Sequence, residues 1–212
     1  MSPAEPTTRA ASSLDDAAPA GPITYARIAE VLTALGLITA EKGREAVESF
    51  GDVAYEEITP LHHVAYALED FGAAVSIHAE DVDFADVAYG ELLEEAAALT
   101  GGAVEVTDYR FERDDEDDPE SGEGVLYFTA QGKRHFFGVE QESNDYFDIG
   151  AAQAAIEALS PVDDPRDFRC VDYGPEGPYQ GWDAIMVLAT ADQRAALGRH
   201  LGLTFEEPVG EQ

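Results

Sequence analysis

The residues able to do chemistry fall into four groups. The densest is DDEDD at 114–118, inside the acidic stretch 112–123. A calcium loop needs oxygen ligands at alternating positions around a turn glycine and a bidentate glutamate at the twelfth place, and this run has neither. Two-metal nuclease sites draw carboxylates from separate elements, which one local run does not supply. A block of like charge reads as a solvated loop. Its functional reading is a polyanion that steers a basic partner and loses its hold as salt screens it.

His62, His63 and His78, followed by Glu80, Asp81 and Asp83, offer imidazole and carboxylate, the donors zinc and other divalent ions accept. Adjacent helical residues point about 100° apart, so His62 and His63 do not share one ion easily. There is no HExxH spacing, and no metal is assigned. Cys170 needs a base to act as a nucleophile, with His135 and His200 the candidates in its half of the chain. It stands in an apolar run between Phe168 and Val171, where a free cysteine is a buried, inert thiol. There is no GxSxG elbow and no glycine-rich phosphate loop, so neither a catalytic residue nor a cofactor is assigned. The 44 acids make carboxylate pairs for glycoside chemistry too common for any one to stand out.

The fourth group combines aromatic and acidic residues. ESNDYFD places Glu142, Asn144, Asp145, Tyr146 and Asp148 just after a strand candidate, and YGPEGPYQGWD places Tyr173, Tyr179, Trp182 and Asp183 in a loop before another. Trp and Tyr give large contact area at low entropic cost, and carboxylates beside them suit Arg or Lys anchors. Asp145, Tyr146, Asp148, Tyr173, Tyr179, Trp182 and Asp183 are therefore the candidate partner-binding residues. The competing reading makes Tyr146, Phe147 and Trp182 caps on the edge of the core, and both readings stand.

Charge narrows the partners. Of 212 residues, 44 are acidic and 12 basic, for a net charge of −32. Phosphate backbones are bound by replacing counterions with Lys and Arg, so direct nucleic-acid binding is excluded. An anionic leaflet repels such a surface, and no apolar run approaches the ~20 residues of a spanning helix. The acids are distributed over the folded part, so three explanations compete: a basic partner, adaptation to high salt, and solubility. A single cysteine excludes an internal disulfide, and residues 1–22 lack the apolar segment of a secretory signal, so a reducing, cytoplasmic setting is expected.

The elements that must position these groups follow from periodicity. Residues 1–22, with four prolines and few large apolar side chains, read as a disordered leader. Residues 23–100 read as a mostly helical segment packed on the second half. Ile28, Val31, Leu32 and Leu35 recur at helical spacing behind a Thr24 cap, a second helix fills 39–50, and a third opens at Pro60 with Leu61, Val64, Leu68 and Phe71 inward. AAVSI is a short strand, and Ala88, Leu92, Ala96 and Leu99 mark a fourth helix. Residues 101–212 read as an α+β sheet domain in the order βββαββα, a mainly antiparallel sheet of about five strands with helices on one face. The apolar phase switches between Val106 and Tyr109, as at a bulge. A hairpin turns near Gly132, and Ile185–Leu188, apolar on both faces, marks a central strand. Thr190 and Gln193 have capping-box spacing ahead of Leu197 and Leu201.

Small size, high acidity and aromatic-acidic loops on an α+β sheet resemble the acidic immunity proteins of bacterial toxin systems. The run from FFGVEQES to AAQAAIEAL is the most family-like piece, and the resemblance spans about residues 23–205. It implies a stoichiometric inhibitor that plugs a basic toxin active site with its acids. Type III secretion chaperones are similar in size and acidity and would imply a partner held partly unfolded. The expected function is thus an acidic cytoplasmic module that binds a basic protein. The alternatives are a metal-dependent hydrolase built on the His62, His63, His78, Asp81 and Asp83 region, and a house-keeping protein adapted to high salt.

Overall fold

A computed structural model describes residues 21–60, 62–78, 84–114, 122–141, 146–172 and 183–206. Its helices are α1 (Tyr25–Ala34), α2 (Ala40–Phe50), α3 (His62–Asp70), α4 (Ala85–Leu99), α5 (Ile149–Glu157) and α6 (Ala191–Leu201). The strands are β1 (Ala74–His78), β2 (Val106–Arg113), β3 (Gly124–Ala130), β4 (Lys133–Val139), β5 (Asp167–Asp172), β6 (Asp183–Ala189) and β7 (Thr204–Phe205). No helix among the described residues is long and apolar enough to cross a membrane.

Local chemistry sets the element ends. Thr24 accepts a bond from Arg27 N–H, Thr39 from Lys42 N–H, and Thr190 from Gln193 N–H in a complete capping box; each satisfies an amide that has no intrahelical partner. β2 and β3 are in register from Val106 to Thr107, then slip so that Asp108 and Tyr109 together face Phe128. Asp108 takes a left-handed φ of 52°, which gives the bulge its bend. The β3–β4 turn is two residues long, with Gln131 at φ 53° and Gly132 at 73°, the mirror-image turn that matches strand twist.

The class is α+β with antiparallel strands, as expected, and the order from β2 to α6 is βββαββα. Among the described residues the strands number seven, where about five in one sheet were expected, and divide into two sheets, β1-β6-β5-β7 and β2-β3-β4. The AAVSI strand, which the sequence places within the helical segment, pairs with β6 along Ala74↔Val187 to His78↔Asp183. Helices cover both faces of the larger sheet. Side chains alternate along a strand. Ile185, Val187 and Ala189 enter a core with Ile28, Leu32, Val64, Leu68, Leu197 and Leu201, while Ala184, Met186 and Leu188 enter a second with Leu93, Ile156, Leu126 and Phe128. A strand apolar on both sides needs cover on both sides, and β6, with Ile185, Met186 and Val187 fully buried, is an inner strand. The layers therefore run α1/α3/α6, four-stranded sheet, α4/α5, three-stranded sheet.

Candidate functional site

Two of the sequence-derived groups meet at one end of β1 and β6. His78 and Asp183 are direct register partners, and alternation turns both toward α3. Deeper on the same face the sheet is apolar, with Ala74 and Val187; at this end it becomes polar through Ser76, His78 and Asp183. His78 Nδ1 lies 3.2 Å from Asp183 Oδ1, and its Nε2 lies 3.7 Å from Glu69 Oε2. Tyr66 donates its hydroxyl to Asp183 Oδ2 at 2.6 Å, and its ring lies parallel to that of His78 at 6.2 Å. Ser76 donates to Glu69 Oε2 at 2.5 Å.

His62, Tyr66 and Glu69 stand at i, i+4 and i+7, one face of α3. That spacing is present in the sequence, but the apolar stripe of Val64, Leu68 and Phe71 is the stronger signal there, and nothing local marks Tyr66, Glu69 or Ser76 as functional. His63 packs edge-on against His62 at 4.3 Å, and His62 approaches Tyr66 edge-on at 6.3 Å. Tyr66 thus contacts both His62 and His78. Among the described residues, no group of three or more His, Cys, Asp and Glu is arranged to hold a metal ion. Asp81 and Asp83, which the hydrolase alternative requires, lie outside the described residues, as do Glu80 and 115–118 of the acidic run.

Like charges crowd this corner. The Glu95 carboxyl on α4 is held above its usual range, first by burial and then by Glu69 and Glu91; Asp70 is raised by burial and by Glu69. Among the described residues, His78 is the only basic side chain within ion-pair distance of Glu69 or Asp183, and no Lys or Arg is. A carboxyl with a raised pKa binds its proton more tightly in the fold than in the unfolded chain. Its contribution to stability is present below the unfolded pKa, about 4.3 for Glu, and is lost as pH rises through the folded value. Glu95→Gln is therefore expected to be more stable than the parent at pH 7, with the gain shrinking as pH falls toward 4. Urea midpoints across that range check it, and a loss of stability at pH 7 would mean that Glu95 is held by a favourable contact.

The remaining candidates fall in other surroundings. Asp148 is the N-cap of α5: Oδ1 accepts from Ala151 N–H at 3.0 Å and Oδ2 from Glu140 N–H at 2.9 Å. Its own N–H donates to the Tyr89 hydroxyl at 3.0 Å. With both carboxylate oxygens engaged, Asp148→Ala is expected to cost about 1–2 kcal/mol of stability in thermal or urea unfolding, and Asp148→Asn part of that, because its single oxygen keeps one acceptor while its NH2 faces the other backbone N–H. Tyr146 is 36% exposed, and Phe147 beside it is buried edge-on against Tyr89 at 4.8 Å. Asp145, Tyr173, Tyr179 and Trp182 lie outside the described residues. Cys170 is buried, accepts from Gln153 Nε2 at 3.2 Å, and has its thiol pushed up to about 12 chiefly by burial, which keeps it protonated at neutral pH.

No protein-family model matches the chain, and neither a curated protein nor a solved structure is significantly similar to it. The functional argument therefore rests on the geometry of the β1–β6 corner and on the charge that surrounds it.

Proposed function

We propose that the protein is an acidic binding module that inhibits a basic protein partner stoichiometrically, as the immunity proteins it resembles do, and that Glu69 and Asp183 anchor that partner. The observation that carries this reading is the set of carboxylates from α3, α4 and β6 gathered at one corner with no Lys or Arg among the described residues within ion-pair distance of Glu69 or Asp183. A guanidinium or ammonium group brought to this corner relieves the like-charge repulsion that adds to burial in raising Glu95 and Asp70. Burying an ion pair at an interface is favourable when its hydrogen bonds are completed, and the field of a −32 chain adds to the rate of encounter. Asp183 is held by Tyr66 and His78, so little side-chain freedom is lost on binding. Trp182 precedes Asp183 directly in the sequence, which puts one of the aromatic candidates next to the anchor. Inhibition here is occupation of a basic surface by shape and charge and involves no turnover.

Affinity capture from the producing cells at low salt, followed by a salt wash and mass spectrometry, tests this. One basic protein held at equal stoichiometry by the parent, and lost from a Glu69→Gln/Asp183→Asn variant, is the expected result. A partner held equally by both proteins would move the anchor elsewhere, and failure to retain any basic protein would overturn the inhibitor reading.

A further inference from the structure

The three-stranded sheet has one face against α4 and α5 and one face with no second layer among the described residues. Register and alternation place two rows of side chains on that outer face. Arg110, Tyr127 and Phe136 are successive cross-strand partners, and Thr107, Thr129 and Arg134 form the next row. The Arg110 guanidinium lies over the Tyr127 ring, 4.5 Å from its centre, with its Nε 3.0 Å from Glu112 Oε1, so one face of that ring already carries a cation and the other is left for a ligand. Phe136 is 72% exposed. Arg110, Tyr127, Thr129, Arg134 and Phe136 line a groove of about 450 Å³, the size of a small-molecule site, together with the Asp108 carboxylate from the bulge.

This face carries both signs of charge, with Arg110 paired to Glu112 and with Asp108 and Arg134 both lining the groove. Acids outnumber bases 44 to 12, and Arg27, Arg44, Arg166, Arg169 and Arg194 each have a carboxylate within ion-pair distance. Arg134 of β4 has none among the described residues. An aromatic pair extended by a guanidinium takes a flat ring system. Residues two apart on a strand are about 7 Å apart, so the Arg134 row meets an anionic group at about that distance from the stacked ring. A polyanion is repelled by the net charge of −32, whereas a singly charged small molecule is not excluded.

We infer that the outer face of the three-stranded sheet is a binding site for a small planar aromatic anion, stacked on Tyr127 and Phe136 with its charge on Arg134. This site is separate from the β1–β6 corner and does not depend on the inhibitor reading.

The probe is 6-(p-toluidino)naphthalene-2-sulfonate, followed by its fluorescence, with neutral N-phenyl-2-naphthylamine as the uncharged comparison. Saturable binding of one dye per chain is expected, with Arg134→Gln and Phe136→Ser each weakening it by about tenfold or more, the scale of one lost stacking or charged contact. The neutral amine is expected to bind at least about tenfold more weakly to the parent, a comparison that needs no variant. Circular dichroism confirms that the two surface variants stay folded. Non-saturable binding, equal binding by both variants and the parent, or equal affinity for the neutral amine would each overturn the proposal. So would a dimer in sedimentation velocity that Phe136→Ser dissociates, because the face would then belong to a second copy of the chain.

Discussion

Replacing Tyr89 with alanine is expected to cost the fold about 3–5 kcal/mol, seen as a large drop in urea midpoint with little change in slope. The side chain is fully buried in the core between the two sheets, stacked with Phe111 of β2 at 5.9 Å and edge-on to Phe147 at 4.8 Å. Its hydroxyl accepts the Asp148 N–H at 3.0 Å, and burial pushes the phenol well above its usual pKa, so it stays neutral. Alanine removes the ring and leaves both a cavity and an unpaired amide. Tyr89→Phe separates the two contributions: it keeps the packing and strands the Asp148 N–H, for about 1–3 kcal/mol. Because the same ring braces Phe147, next to Tyr146, the alanine variant is also expected to disturb whatever contact Tyr146 makes with a partner. A cost below about 1 kcal/mol would mean that the cavity collapses and that α4 does not couple the sheets through this residue.

Neutralising the corner is expected to separate binding from stability. Glu69→Gln with Asp183→Asn should weaken the complex with the basic partner by about 2 kcal/mol or more, roughly thirtyfold in Kd, while the free protein becomes no less stable. Both carboxamides keep an acceptor oxygen for the Ser76 and Tyr66 hydroxyls, and the repulsion felt by Glu95 and Asp70 is reduced. Opposite signs in the two measurements are what a site held at a cost to the fold produces. A cluster that served only the fold would show the reverse, a loss of stability with affinity unchanged. Titration calorimetry of the captured partner and urea unfolding of the free protein decide between them.

The element boundaries were legible because their causes act within a few residues. Thr24, Thr39 and Thr190 cap helices where the spacing placed them, Gln193 closes the capping box, and the phase switch between Val106 and Tyr109 is the bulge at Asp108. Ile185–Leu188 reads as an inner strand because an all-apolar run of that length has no solvent face to offer. The same local view left Thr204–Phe205 unnoticed, since a two-residue strand has no period of its own and exists through pairing with Val171 and Asp172.

Which strands share a sheet depends on contacts between distant residues, and these leave no local trace. AAVSI joins β6 across more than a hundred residues, and that pairing alone brings His78 to Asp183 and sets both under Glu69 and Tyr66. The sequence named His78 and Asp183 for different reasons and in different groups. Asp148 shows the converse: it reads as one more acid beside an aromatic, and folding engages both its oxygens with backbone amides. The open face with Arg134 and Phe136 follows from the division into two sheets, because among the described residues only the three-stranded sheet lacks cover on one side. By itself, then, the sequence determined the class, the helix caps, the turns, the inner strand and the acidic surface, all set by local chemistry and composition. The tertiary structure alone decided which carboxylates crowd together and which aromatic face is left open, because both depend on the burial of apolar surface between elements far apart in the chain.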